Sequence, residues 1–268
     1  MSELIVPPRF CGPPDSGNGG WVCGALATLD PEPCPDNRVA SWPPIEVTLR
    51  QPPPLDAPML VEVDGDVATA SFGGAVIATA RPVDTDPVPA EPVLPAVARA
   101  AESSYAGLVS HPFPTCFSCG PDRDEADGLR IFPGPVDPVT GPDGQPRPRV
   151  AATWTPHPSL AEDWHTYVDD HRRASVAATW AALDCAGAWA SGVGERHMVL
   201  GRMTARIDTL PVIGEEHVVV GENRGQDGRK SFSATTLYDA DGRVVGTTEQ
   251  VWIAIDPGTF AATGATHG

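Results

Sequence analysis

Residues 198–255 alternate between apolar and polar or β-branched positions in four segments. The segments are MVLGRMTARIDTL, EEHVVVGEN, RKSFSATTLYD and RVVGTTEQVWIAI, separated by residues 211–214, 225–228 and 241–242. A period of two is typical of strands with one buried face, and Asp-Gly favours a tight hairpin because glycine accepts a positive φ. The pattern predicts an antiparallel meander of long strands.

The segment before this meander, residues 174–190, is rich in alanine and lacks proline, and Gly192 and Gly194 follow it. Trp180, Leu183 and Trp189 are its large apolar residues. A helix that is apolar around nearly its whole circumference is a buried helix. We therefore expect one helix over 174–190, covered by the strands that follow it.

The first third of the chain repeats this plan. NGGWVCGALATL is the predicted helix, IEVTLRQPPPL aligns with MTARIDTLPVI, and MLVEVDGD matches the second strand. VATASFGGAVIATARPV predicts a hairpin around Gly73 and Gly74. A long sheet wrapped round one helix is the hotdog fold. The predicted class is α+β, a tandem (double) hotdog in which two long antiparallel sheets each wrap a central helix and pair edge to edge.

Proline and glycine divide the chain further. The 31 prolines and 27 glycines concentrate in the first 60 residues, in 82–95 and in 132–149, which predicts loops and a linker there. The expected organisation is a first hotdog over 1–83, a linker over 84–110 with a short helical piece, a second hotdog over 111–256 and a flexible tail over 257–268.

Composition excludes several classes of function. The chain has 268 residues and a formal net charge of -17, which argues against nucleic acid as a partner. The sequence contains no apolar run long enough to span a bilayer and no signal-peptide pattern at its start, so we expect a cytoplasmic protein without a membrane partner. Six cysteines in this length do not indicate a disulfide scaffold.

Residues 116–131, CFSCGPDRDEADGLRI, lie before the second predicted helix and resemble a motif of the hotdog thioesterase superfamily. The resemblance is to its double-hotdog form, in the phenylacetyl-CoA thioesterase-like branch, where Cys-Phe-x-Cys-Gly precedes Gly-Leu-x-Leu. That branch continues with a His-Gly-Gly turn, an apolar helix and an acid nine residues after the His. Here the first half has Asn18 in place of His and Ala27 in place of the acid, whereas the second half has Asp184 but SVA at 175–177 in place of the turn.

The resemblance implies one composite site per chain. Asn18, Gly19 and Gly20 would place backbone N–H groups of a helix N-terminus at a thioester carbonyl, where negative charge develops. Asp184 from the other half would activate water or attack the acyl carbon. The pseudo-symmetric position, with Ala27 and residues 175–177, would be inactive. The expected activity is acyl-CoA thioester hydrolysis, with coenzyme A as part of the substrate and no cofactor.

Alternative interpretations stay open at this point. The turn at 17–20 could simply begin a helix, and Asp184 could make a structural hydrogen bond. A non-catalytic acyl-CoA or acyl-carrier binding protein is the second hypothesis, because Asn18 replaces the family's His. A hotdog hydratase or dehydratase is the third, although the sequence has no Asp and His pair at either helix start. Tandem hotdogs commonly pair, so we also expect a homodimer.

The remaining candidates are substrate contacts and metal ligands. Residues that could meet the acyl group or the phosphates of coenzyme A are Trp21, Trp180, Arg172, Arg173, Arg202, Arg229 and Lys230. The two tryptophans fit a core role equally well. Cys116 and Cys119 form a CxxC with His111 upstream, but zinc would need a further ligand such as Cys11 or Cys34. The Asp and His residues of 163–173 are typical of a solvated loop. We therefore expect no metal at either place.

Overall fold

The computed structural model describes residues 2–28, 43–161 and 171–256. The tail at 257–268, most of the acidic loop at 163–173 and Cys34 lie outside this part of the chain. The strands are β1 (Ser2–Leu4), β2 (Ile45–Leu49), β3 (Met59–Asp64), β4 (Val67–Phe72), β5 (Ala75–Pro82), β6 (Gly134–Thr140), β7 (Pro146–Trp154), β8 (Met198–Ile207), β9 (His217–Asp227), β10 (Lys230–Tyr238) and β11 (Val244–Ala254). The α-helices are α1 (Gly19–Ala27), α2 (Pro95–Ala101), α3 (Val176–Ala182) and α4 (Cys185–Ala190).

All the strands named above form one sheet of 11 strands in the order β1-β3-β4-β5-β2-β8-β11-β10-β9-β7-β6. The named strands pair antiparallel throughout. At the centre β2 pairs with β8, from Ile45 opposite Ala205 to Thr48 opposite Arg202. The two sheets expected from the sequence are therefore joined edge to edge into a single sheet, which leaves neither central strand with an open edge.

The strand order is the same on both sides of this junction. After α1 the strands run β3-β4-β5-β2 toward the junction, and after α3 and α4 they run β9-β10-β11-β8 toward it. In each set the first strand after the helix lies innermost and pairs with the fourth. The order of the strands is thus symmetric about the β2–β8 pair.

The two buried helices α1 and α3 pack directly on each other because small residues face one another. A Cβ added to Gly24 would lie 2.8 Å from Ala177 Cα, and one added to Gly20 would lie 3.1 Å from Ala181 Cα. Glycine permits this separation because it has no side chain to displace the opposite backbone. The contact fixes the N-terminus of α1 against the end of α3.

The interpretation of 132–149 as loop is wrong. Residues 134–140 and 146–154 form the hairpin β6–β7 at one end of the sheet. Pro135 and Pro138 are accommodated because β6 is the last strand and needs hydrogen-bond donors on one side only. A proline-rich edge strand has the composition of a loop, so composition alone does not identify β6 as a strand.

The predicted turns are present where glycine provides them. Gly73 and Gly74 have φ of 58° and 81° and join β4 to β5 in a two-residue turn, with Phe72 opposite Ala75. Gly242 also has a positive φ, of 76°, in the connection between β10 and β11. The hairpin predictions from Gly-Gly and Asp-Gly are therefore confirmed.

The segment expected as a linker is ordered along the outer face of the second set of strands. The backbone N–H of Ala90 donates to Thr236 Oγ1 at 2.9 Å, and the Tyr238 hydroxyl donates to the Ala90 carbonyl. Ala98 on α2 joins the same small apolar cluster, which also contains Val218 and Val220. Among the described residues, no helix is both long and apolar enough to cross a membrane.

Candidate active site

The first component of the candidate site is the N-terminus of α1. Asn18 has extended backbone angles and its Oδ1 accepts a hydrogen bond of 2.9 Å from the Trp21 N–H, which makes it the N-cap. Gly19 and Gly20 follow as the first helical residues. The glycine-rich turn thus starts a helix, as predicted, and points its first N–H groups away from the helix body.

The second component is a break in the helix predicted over 174–190. α3 ends at Ala182 and α4 begins at Cys185, so Leu183 and Asp184 lie between two shorter helices. Gln250 on β11 donates from Nε2 to the Leu183 and Asp184 carbonyls, at 2.6 and 2.9 Å. The prediction of one continuous helix is therefore wrong, because a side chain distant in sequence satisfies the carbonyls at the break.

These two components meet at the Asp184 carboxylate. Its Oδ2 accepts hydrogen bonds from Asn18 Nδ2 at 2.8 Å and from the Gly20 N–H at 3.1 Å. The side chain is buried, with 2% of the residue exposed, and Oδ1 accepts no hydrogen bond from any residue that the structure describes. The α1 N-terminus and Asp184 thus lie together, as expected. The Gly20 N–H, however, donates to the Asp184 carboxylate and is not available to a thioester carbonyl.

The environment of Asp184 changes its protonation. Burial and, to a smaller extent, negative charge on Cys116 raise the pKa of this carboxyl, whereas the Gly20 N–H and the Asn18 amide lower it, and the net result is a pKa of about 7. A carboxyl with a pKa in this range can exchange a proton at neutral pH.

A cavity of about 190 Å³ lies against this pair. Asn18, Gly19 and Asp184 lie in its wall. The large apolar side chains in its wall are Leu49, Phe113, Trp189, Met198, Leu200, Trp252 and Ile253, and the thiols in it are Cys116, Cys119 and Cys185. The cavity is therefore largely apolar, with one acid and one helix N-terminus in its wall, a common form of ligand site.

The aromatic residues proposed from the sequence lie elsewhere. Trp180 is buried in the core beside α1, and Trp21 stacks on Phe10 with ring centroids 4.4 Å apart. Neither lines the cavity described above, where Trp189 and Trp252 provide the indole rings instead. The sequence does not distinguish these pairs, because all four tryptophans lie in segments that are apolar.

The basic residues proposed from the sequence also lie outside the cavity wall. Arg202 contacts Glu46 at 3.3 Å, Arg229 donates to the Ala254 carbonyl, and Arg173 donates to the Leu210 carbonyl. Arg172 precedes Arg173, and Lys230 is exposed at the start of β10. The arginine in the cavity wall is Arg50, which sequence reasoning missed because it stands alone between β2 and a proline run.

The pseudo-symmetric position has neither component. Ser175 caps α3 with its own hydroxyl, which accepts the Ala178 N–H at 3.0 Å. Ala27 lines a void of about 10 Å³, too small to admit a substrate. Of these two related positions in the described part of the chain, the one at Asp184 and Gly20 thus has both an acid and a helix N-terminus.

Gln250 is the further residue of this site that the sequence did not indicate. Its Oε1 accepts hydrogen bonds from Ser233 Oγ at 2.9 Å and Trp252 Nε1 at 3.1 Å, while its Nε2 holds the carbonyls at the helix break. The available signal was a glutamine on the inward face of an apolar strand. Gln250 thus fixes the backbone that carries Asp184.

Replacing Gln250 by Leu should lower the free energy of unfolding by about 1–3 kcal/mol, because two buried carbonyls lose their donor. Urea denaturation checks this effect. Gln226→Leu, at an exposed end of β9, is the matched control and should stay close to wild type. An unchanged denaturation midpoint in Gln250→Leu would refute the positioning role.

No protein-family model matches the chain, and the search of curated proteins finds no match. Solved structures do resemble it. One is a conserved protein of unknown function with the hot dog fold from Alicyclobacillus acidocaldarius, with a TM-score of 0.57 and 13% identity over 96% of this chain and 92% of that one. Another is a tesB protein from Mycobacterium avium subspecies paratuberculosis, with a TM-score of 0.54 and 13% identity over 91% of this chain and 90% of that one.

A third is the acyl-CoA thioesterase II TesB2 from Mycobacterium marinum, with a TM-score of 0.50 and 14% identity over 89% of this chain and 91% of that one. Identities this low establish shared architecture and leave the chemistry to be argued from the site. The resemblance stated from the sequence is confirmed at that level: this chain has the hotdog fold.

Proposed function

We propose that this protein hydrolyses acyl-CoA thioesters at the composite site formed by Asp184 and the N-terminus of α1. The observation that carries the proposal is the contact between them: Asp184 Oδ2 accepts from Asn18 Nδ2 and the Gly20 N–H, and Oδ1 is left as an unpaired acceptor beside the cavity. A buried acid with one oxygen fixed and the other unused suits an acid–base role.

The proposal includes a tandem of two hotdog halves, one over 1–83 and one over 111–256. The equal strand order on both sides of the β2–β8 junction supports this division. Each half alone lacks a component, because the first has Ala27 where an acid is needed and the second begins its helix with the Ser175 cap. Joining the halves in one chain therefore gives a single site.

In the proposed reaction, the polar groups beside the cavity have separate roles. Asp184 Oδ1 takes a proton from a water molecule, which attacks the thioester carbonyl carbon. Negative charge then forms on the carbonyl oxygen, where the Gly19 N–H and the positive end of α1 stabilise it. Gly20 does not share that task, because its N–H donates to Asp184. Collapse of the tetrahedral intermediate breaks the carbon–sulfur bond and expels the thiolate of coenzyme A, which takes the proton from Asp184.

The size of the cavity points to a small acyl group. A cavity of about 150 Å³ holds benzene in another protein, so the 190 Å³ here suit a short chain or one aromatic ring. Trp189, Trp252 and Phe113 provide flat apolar walls for such a group. We therefore assign the substrate to short or aryl acyl-CoA thioesters.

The anionic part of the substrate needs a local cation, because the chain as a whole carries a charge of -17. Arg50 lines the cavity and is exposed, so its guanidinium is placed to meet a phosphate of coenzyme A.

A panel of acyl-CoA thioesters tests the function, with release of free thiol as the measurement. Phenylacetyl-, benzoyl- and butyryl-CoA should be hydrolysed faster than palmitoyl-CoA. Tight binding of these thioesters without thiol release would contradict hydrolysis and favour the acyl-CoA binding protein. Preference for palmitoyl-CoA would contradict the assigned acyl size.

A further inference from the structure

Three cysteines from two distant segments meet in the wall of the cavity. Cys116 and Cys119 lie in the loop before β6, and Cys185 begins α4. The three sulfurs lie within 4.8 Å of one another, and Cys116 Sγ is 3.7 Å from Cys185 Sγ. The residue that completes the CxxC is thus Cys185, which sequence spacing could not single out.

The separation of the sulfurs fits a shared ion. Zinc binds thiolates at about 2.3 Å in tetrahedral geometry, which places two such sulfurs about 3.8 Å apart. The Cys116–Cys185 distance of 3.7 Å agrees with this value and is far from the ~2.05 Å of a disulfide. Soft thiolate ligands select zinc over magnesium or calcium.

A side-chain amide also approaches the first of these sulfurs, that of Cys116. Asn18 Nδ2 lies 3.7 Å from the same sulfur, on the side toward Asp184.

His111 contributes as a hydrogen-bond donor. Its Nδ1 accepts the Phe113 N–H at 2.9 Å, so the neutral ring carries its proton on Nε2. Nε2 lies 3.4 Å from Cys119 Sγ and donates a hydrogen bond to that sulfur. Hydrogen bonds of this type orient metal ligands from outside the coordination sphere.

We propose that Cys116, Cys119 and Cys185 bind one zinc ion, whose fourth ligand comes from the cavity that all three cysteines line. Zinc held by three protein ligands, with one position left to water or another small ligand, is a known arrangement. The site goes beyond the sequence-based expectation of no metal, which depended on the lack of a further nearby ligand. It does not depend on thioester hydrolysis.

Metal content and a cobalt spectrum test the site. Protein purified in reductant with added zinc, then desalted, should contain about one zinc ion per chain by elemental analysis. Cobalt in place of zinc should give a thiolate-to-cobalt charge-transfer band and the visible bands of a tetrahedral ion. Cys116→Ser, Cys119→Ser and Cys185→Ser should each lose most of the zinc. Cys11→Ser should retain it, because Cys11 Sγ instead contacts Thr115 and Arg123.

Several results would overturn the proposal. One is wild-type protein without zinc and without a cobalt–thiolate band. Another is a disulfide between two of these three cysteines, seen as a mass lower by two hydrogens and located by peptide mapping. Zinc retained in folded Cys185→Ser would also refute it. If a serine variant does not fold, the cobalt spectrum of the wild type decides alone. Thiol release from acyl-CoA is measured separately, so either proposal can fail without the other.

Discussion

Asp184→Asn should lower turnover of the best acyl-CoA substrate by about 10²–10⁴-fold, the usual contribution of general acid–base catalysis. The amide oxygen of Asn can still accept from Asn18 and Gly20, so the fold should be kept. What is lost is the proton acceptor at the position of Oδ1. The loss should therefore appear in kcat, with a smaller change in KM. Initial rates of free-thiol release measure both.

The matched control is Asp137→Asn, on the exposed edge strand β6, which should keep wild-type rates. Unfolding curves of Asp184→Asn and wild type should nearly coincide, which separates catalysis from stability. Equal rates in Asp184→Asn and wild type would refute the mechanism, even if the protein proves to be a thioesterase by another route.

Gly20→Ala should damage both stability and activity. The added Cβ would lie 2.7 Å from Asp184 Cβ and 2.7 Å from the Trp180 carbonyl, so α1 must move away from Asp184. Overpacking of this kind costs about 1–3 kcal/mol of unfolding free energy. Displacing the Gly20 N–H also releases Asp184 Oδ2, so turnover per folded molecule should fall at least tenfold.

Gly24→Ala, one turn further along α1, is the control for this effect. Its Cβ would lie 2.8 Å from Ala177 Cα, in the same helix contact, but none of its closest atoms belongs to Asp184. We expect a similar loss of unfolding free energy with turnover per folded molecule largely kept. Urea denaturation and initial rates measure the two quantities. Equal loss of turnover in both variants would mean that the hydrogen bond from Gly20 has no special role.

Much of the architecture follows from local patterns. α1, the strands of both meanders and the turn at Gly73 and Gly74 depend on periodicity and on positive φ, which neighbouring residues determine. The hairpin β6–β7 was missed because its prolines are acceptable only at a sheet edge, and edge position is a property of the whole sheet. Local signals thus give the elements but not their places.

The sequence predicted only part of the candidate site, because the rest depends on contacts between distant segments. The resemblance to hotdog thioesterases implied that the α1 N-terminus and Asp184 lie together, because each predicted repeat keeps one component of the family motif and lacks the other. The hydrogen bond from Gly20 to Asp184 did not, because it depends on how closely α1 and α3 approach. The helix break held by Gln250 and the grouping of Cys185 with Cys116 depend on contacts between residues 66 and 69 positions apart in the chain.

The pairing of β2 with β8 has a consequence for synthesis on the ribosome. β2 spans Ile45–Leu49 and its partner β8 spans Met198–Ile207, so translation of the partner follows about 150 residues later. At roughly 5–20 residues per second, the nascent first half waits on the order of ten seconds with one strand unpartnered. During this interval it is open to association with another nascent chain, and β8 ends that exposure when it emerges.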